Sequence, residues 1–210
     1  MSRVFRNVFT LALVLCVLAG GVIGWTVLRS PDPRYAAHEL AFRASYHRYD
    51  TLIKEVARRR GLDPMVLKAV VWRESSFDPS KVGLDGERGL MQITDAAALE
   101  WVKSEKIPSF VPGDLFDPKV NLEAGSWLLA RALHRYQDRD DPLPFALAEY
   151  NAGRTRAARW AREQGDGNAG QATVGANSRE LLAKINIPST RHYVDTVQSR
   201  VHFYQQRGEL

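Results

Sequence analysis

The apolar positions form one unbroken run followed by a series of helical stripes. Residues 8–28 carry no ionisable side chain except the thiol of Cys16, and 21 residues of helix suffice to cross a hydrocarbon core of about 30 Å. A short SPDPR stretch follows at residues 30–34, and each proline biases its predecessor away from helix. From residue 36 onward the periodicity is that of successive helices. Alternating β-branched runs bounded by turns, the mark of strands, are almost absent.

The first helix is expected over residues 46–60, stopped by Gly61. The second takes Asp63 as N-cap and Pro64 as its first residue and runs to Ser75. Its residues Met65, Val66, Leu67, Ala69, Val70, Val71 and Trp72 are apolar almost all round, which predicts a central buried helix. A Pro, Gly and Asp-rich loop over 77–88 precedes a helix expected at 89–102, and 107–117 reads as a connection. Asp117 and Pro118 open a long amphipathic helix reaching Gln137, with Leu122, Trp127, Leu128, Ala130, Leu133 and Tyr136 on its buried side. Helices follow at 144–153 and 154–163, then a loop at 164–178 without apolar periodicity. The chain closes with a helix at 179–185, a break at Pro188 and a last helix at 191–206. These elements predict an all-α (mainly α) fold behind one N-terminal transmembrane helix. The expected organisation is 1–29 as membrane anchor or signal segment, 30–45 as linker and lead-in helix, and 46–207 as one globular domain.

Charge refines the N-terminus. Arg3 and Arg6 make a short basic flank without acids, which favours a cytoplasmic N-terminus, while Arg29 and Arg34 on the far side dilute the bias. A cleavable signal peptide is the competing reading, since Ala19, Gly20 and Gly21 supply small residues, although its apolar region should be shorter. Lipid attachment at Cys16 is disfavoured by Leu15 just before it. On either leading reading the globular part is exported. Cys16 is the only cysteine, so the exported part holds no internal disulfide and no Cys-based metal site. His38, His47, His134, His192 and His202 show no metal-ligand spacing, and no metal or other cofactor is expected. The net charge of +5 comes without any Lys/Arg block of five, which argues against nucleic acid as a partner.

Four segments carry candidate chemistry. Leu67, Val71 and Glu74 stand at i, i+4 and i+7, so Glu74 extends the stripe of the buried helix. A carboxyl there is poorly solvated unless it lines a cleft, and desolvation raises its pKa towards the range of a general acid. The ordinary alternative is a helix-end glutamate paired with Arg73 or turned to solvent. In Gly86-Glu87-Arg88-Gly89-Leu90-Met91-Gln92, two glycines permit a tight turn and close approach of a ligand, and Gln92 offers an amide. In Ala148-Glu149-Tyr150-Asn151-Ala152-Gly153, Tyr150 and Asn151 combine a ring with hydrogen-bonding groups, although Gly153 also reads as a plain helix stop. Thr190-Arg191-His192-Tyr193-Val194 adds Tyr193, which either reaches a cleft or packs.

In this order, the E-S, G-L-M-Q, Y-N-A-G and T-R-x-Y-V segments resemble the catalytic domain of the soluble-lytic-transglycosylase (SLT) family. Glu74-Ser75-Ser76-Phe77-Asp78-Pro79 matches the family's E-S-x-F/W-x-P, and Asp117-Pro118 with Asn121 matches the start of its next helix. The resemblance covers about residues 46–204. It implies a lysozyme-like, mostly helical fold with a groove for the glycan strands of peptidoglycan. Glu74 would be the one catalytic acid, protonating the glycosidic oxygen and then, as a carboxylate, deprotonating the muramic acid 6-hydroxyl, which attacks C1 and leaves a 1,6-anhydro end. Ser75, Met91, Gln92, Tyr150, Asn151 and Tyr193 match positions expected to line the groove, and no metal is needed.

The chain departs from the family's pattern in three places. Thr94 and Asp95 follow Gln92-Ile93 where many members have Met-Pro, Gly83 stands where a serine is common, and Ile185 and Asn186 precede Pro188 where a glutamate is often found. A hydrolase of the goose-type-lysozyme kind and a non-catalytic wall-binding module share the fold and are the alternatives. A retaining hydrolase would hold a second carboxylate roughly 5 Å from the first, and Asp78, Asp85, Glu87 and Glu149 are the acids nearest in the motifs. The expected partners are peptidoglycan strands and the cytoplasmic membrane, with the catalytic domain in the periplasm. The anchor is also compatible with a place in an envelope-spanning secretion, pilus or flagellar machine.

Overall fold

The structure is a computed structural model that describes residues 3–29, 33, 37, 40, 45–162, 178–208 and 210. The chain divides into two units, Met1–His47 and Arg48–Leu210. The first unit holds α1, a 26-residue helix over Arg3–Leu28. Its described apolar side chains find little cover: Phe9, Leu15, Val17 and Leu28 are each more than half exposed. Among the described residues no helix is long and apolar enough to cross a membrane, and several side chains within α1 lie outside that set. The linker and lead-in helix expected over 30–45 fall almost wholly outside the described residues, as does the loop expected at 164–178.

The second unit is built from helices. α2 (Asp50–Arg60) ends at Gly61, whose φ of 66° places it in the left-handed region that glycine enters without a Cβ penalty. α3 (Pro64–Ser75) starts where Asp63 accepts the Met65 amide at 2.8 Å. Val66, Leu67, Ala69, Val70 and Val71 are all buried, so α3 runs through the core. Lys68 is buried with them, and its ammonium lies 2.8 Å from Asp50 of α2 and 5.2 Å from the Tyr204 ring centroid. A buried cation is tolerated only with such partners; this one ties α3 to the helices on either side.

After α3 come α4 (Asp95–Glu105), a 3-10 turn at Pro112–Phe116, α5 (Pro118–Arg135), α6 (Leu143–Ala152), α7 (Arg154–Arg162), α8 (Ser178–Lys184) and α9 (Pro188–Arg207). α9 packs along α3 and also against α6, while α5 is flanked by α2, α4 and α6. The site described below lies where the C-terminal end of α3 meets α9 and the loop before α4.

Two expected boundaries are corrected. The helix expected from Gly89 begins only at Asp95. Gly89 and Gln92 have φ of +74° and +49°, which no α-helix accommodates, and Thr94 accepts the Ala97 amide as the actual N-cap. The preceding residues form two isolated antiparallel bridges, Val82 with Arg88 and Arg88 with Ile93. The last helix starts at Pro188 rather than after it, because a proline at the first position forgoes an N–H that the helix would leave unpaired anyway.

Candidate active site

Glu74 lies in the last turn of α3, directly above the fully buried Leu67 and Val71. The chain then turns sharply through Ser76 and Phe77, both at positive φ, so the end of the helix opens onto the loop 77–94. Three side chains converge on Glu74. The Tyr193 hydroxyl of α9 donates to Glu74 Oε1 at 2.7 Å. The Arg73 guanidinium stands 5.5 Å from the centroid of the Tyr193 ring. Lys81 Nζ donates to the Glu74 carbonyl, one of the oxygens a helix leaves unpaired at its C-terminus.

These contacts set the proton affinity of the carboxyl. Burial pushes the Glu74 pKa up from 4.5 to about 7, against the lowering effects of the Tyr193 hydrogen bond, Arg73 and Lys81; the charge of Glu87 adds to the rise. The difference corresponds to about 3 kcal/mol in favour of the neutral form. Desolvation therefore outweighs one charge-assisted hydrogen bond and two nearby cations together. Tyr193 is buried and Tyr150 half-buried, and desolvation with the neighbouring Glu74 charge holds both hydroxyls well above their usual range. Both phenols stay protonated and act as donors.

The loop is fixed from below by Asn121, which is buried on α5. Its carbonyl accepts the Met91 amide at 2.7 Å, and its amide donates to the Arg88 and Leu115 carbonyls at 2.8 Å each. Gly89 must be glycine here, since a Cβ would lie 2.3 Å from the Leu115 carbonyl oxygen and 2.4 Å from the Asn121 amide. Gln92 folds back over the loop, donating to the Lys81 and Gly89 carbonyls at 3.1 and 3.0 Å. The Tyr150 hydroxyl donates to the Met91 carbonyl at 2.9 Å. Tyr150 thus bridges the loop and α6, near enough to feel the charge of Glu74. Beside it opens a cavity of about 330 Å³ whose walls include Gln92, Thr94, Arg131, Tyr150, Asn151 and Arg154. Glu74 is not among its walls, so the cavity adjoins the acid across Tyr150.

The residues singled out from sequence occupy different places. Tyr193 touches Glu74, and Gln92, Tyr150 and Asn151 line the adjoining cavity. Ser75 and Met91 do not present their side chains to it. The Ser75 hydroxyl is buried and donates to the Val71 carbonyl of its own helix at 3.2 Å. Met91 is fully buried against Gly125, where a Cβ would meet its sulfur at 2.4 Å. Of the other acids, Glu149 pairs with Arg135 at 3.2 Å. Asp78 is occupied by the Ser80 hydroxyl and amide, which hold its carboxyl below the usual range, and Asp85 is exposed. Lys81 was missed in the sequence because its link to Glu74 depends on the fold of the loop. Its only sequence signal is a lone cation seven residues past a helix-end acid.

These features define a mainly helical domain with one carboxyl of raised pKa beside a cavity. The chain belongs to the transglycosylase SLT domain family, whose match spans residues 51–172. Over 109 residues, half of this chain, it is 38% identical to the membrane-bound lytic murein transglycosylase F of Desulfosudis oleivorans, covering 22% of that protein. Over 113 residues it is 31% identical to the membrane-bound lytic murein transglycosylase C of Shigella sonnei, covering 32% of it. The match thus spans a third or less of these curated relatives. Among solved structures, the 70-kDa soluble lytic transglycosylase of Escherichia coli superposes with a TM-score of 0.63 at 23% identity, over 90% of this chain and 28% of that one. An inactive Glu-to-Gln variant of the lytic transglycosylase Slt from Pseudomonas aeruginosa gives 0.62 at 24%, over 81% and 25%. At this identity the structures speak for the fold.

Proposed function

We propose that this protein is a peptidoglycan lytic transglycosylase in which Glu74 acts first as acid and then as base. The observation that carries this reading is a carboxyl with a pKa of about 7, seated at the end of a buried helix under a tyrosine hydroxyl. In its neutral form Glu74 delivers its proton to the glycosidic oxygen between N-acetylmuramic acid and N-acetylglucosamine, and the bond from C1 to that oxygen breaks. The substrate's own acetamido group stabilises the positive charge at C1, in place of the second carboxylate that most glycosidases supply. The Glu74 carboxylate then takes the proton of the muramic acid 6-hydroxyl as that oxygen bonds to C1, closing the 1,6-anhydro ring. The acid is restored with no metal, cofactor or net water consumed.

The surroundings suit both halves. Burial keeps Glu74 protonated before the first transfer, and the Tyr193 hydroxyl stabilises the carboxylate after it. Gln92, Tyr150 and Asn151 are placed to hold the adjoining sugars, while Ser75 and Met91 support the groove from beneath. The inactivity of a Glu-to-Gln variant of the Pseudomonas enzyme is in keeping with one indispensable glutamate. Glu74→Gln should reduce cleavage of purified peptidoglycan by 10³-fold or more while leaving co-sedimentation with it intact; an active variant would remove Glu74 from the reaction.

The domain is tethered, on this reading, to the cytoplasmic membrane by residues 1–29 and works in the periplasm, with 30–45 as linker and 46–207 as the catalytic unit. What supports the tether is the uncharged run over 8–28, the exposure of apolar side chains along α1, and Trp25 with the Arg29 guanidinium 4.6 Å from its ring centroid. An aromatic and an arginine at a helix end suit the membrane–water interface. The names of the relatives from Desulfosudis and Shigella also place them at a membrane. Retention of the full-length chain in membranes washed with high salt tests the tether, and release by salt alone would contradict it.

A further inference from the structure

We propose that Glu87 is a further substrate-binding residue of this site, its free carboxylate oxygen accepting a sugar hydroxyl or acetamido N–H of the glycan beside Glu74, and that Gly83 is a glycine to give it room. The proposal deepens the reading of the site as a glycan-cleaving one. A Cβ on Gly83 would lie 2.2 Å from Glu87 Oε2 and 3.0 Å from both Glu87 Cδ and Gln92 Oε1. The Glu87 carboxylate and the Gln92 amide therefore converge on the face that a side chain at 83 would fill. The position is anchored from both sides: the Gly83 amide donates to the Glu87 carbonyl at 2.8 Å, and Glu87 Oε2 accepts the Asp85 amide at 3.1 Å.

Glu87 Oε1 has no donor among the described residues, and the side chain is only partly buried. A half-enclosed carboxylate oxygen without a protein partner is suited to an N–H or O–H from a ligand. The same loop reaches Glu74 through Lys81, whose ammonium holds the Glu74 carbonyl and whose own carbonyl accepts Gln92. The charge of Glu87 is felt at Glu74, where it opposes ionisation. The other charged or titratable groups facing Glu74 are Arg73 from its own helix, Lys81 from the loop and Tyr193 from α9, with Tyr150 contributing from α6. Glu87 is the acid among them, so its removal should ease the ionisation of Glu74.

The test uses the full chain. Glu87→Ala, Glu87→Gln, Gly83→Ala and the Gly83→Ala/Glu87→Ala double variant are compared for cleavage and, in a Glu74→Gln background, for co-sedimentation with purified peptidoglycan. A methyl at 83 meets only the ends of flexible side chains, so Gly83→Ala should fold and displace the carboxylate. Glu87→Ala is expected to weaken binding and kcat/KM by about tenfold, and Gly83→Ala to do nearly the same. The double variant should be no worse than Glu87→Ala alone. Both Glu87 variants should move the alkaline limb of the pH–rate profile to lower pH, with Glu87→Gln keeping more of the binding because its amide oxygen still accepts. Unchanged binding and pH profile in Glu87→Ala, or penalties at 83 and 87 that simply add, would overturn the proposal. A chain that fails to cleave yet binds in a Glu87-dependent way would instead defeat the transglycosylase reading and leave this one standing.

Discussion

At the scale of single residues, the proposed reaction rests on how one carboxyl is held. The stripe Leu67, Val71, Glu74 was readable in the sequence and predicted an acid at the edge of the core. What set its proton affinity was not readable, because Tyr193 lies 119 positions away and Lys81 acts through the folded loop. The pH dependence follows from the signs. Glu74 must be protonated at the first step, so kcat/KM should fall as pH rises through about 7. Tyr193→Phe removes a bond that favours the carboxylate, so the limb should move to higher pH while kcat falls about tenfold; a limb moving lower would contradict the role given to that hydroxyl. The same shift is a statement about stability. With a folded pKa near 7 against 4.5, the stabilisation that Glu74 draws from its proton is complete below pH 4.5 and lost as pH rises through 7. Glu74→Gln should therefore be more stable than the parent chain by up to about 3 kcal/mol at pH 8 or above, and nearly equal to it at pH 4, in urea melts. An equal gain at both pH values would mean that ionisation is not its source.

At the scale of elements, the helices were legible and the loop between α3 and α4 was not. Asp63-Pro64 and Asp117-Pro118 announce helix starts through capping chemistry that any chain would use, and both helices begin at those prolines. The segment 89–94 has apolar residues at helical spacing, yet its backbone is bent out of helix at Gly89 and Gln92. The side chain responsible is Asn121, which replaces helical hydrogen bonds with three of its own from another helix. Leucine has the same branching but leaves those backbone groups without partners, at roughly 1–3 kcal/mol each. Asn121→Leu should accordingly lose at least 3 kcal/mol by chemical denaturation and speed amide exchange around Met91. A loss under 1 kcal/mol would show that the loop holds its shape without Asn121.

At the scale of the whole molecule, the proposed enzyme is a helical domain that follows an apolar run over residues 8–28 in the sequence. The overall helical class followed from the absence of alternating strand patterns, and the uncharged run over 8–28 was plain in composition alone. Which side chains face the substrate was less accessible. Ser75 and Met91 belong to the same motifs as Glu74 and Gln92, but α3 and Gly125 claim their side chains. Gly83 and Glu87 gain meaning only when the loop brings them face to face. None of these details changes the proposed reaction, which has a chemical signature. The most direct measurement is mass analysis of the glycan ends released when the full-length chain, in detergent, digests purified peptidoglycan. The account predicts 1,6-anhydromuramoyl ends, 18 Da lighter than hydrolysed ones by the loss of one water (about 18 Da), and their absence with Glu74→Gln. Reducing muramic acid ends as the main product would contradict it.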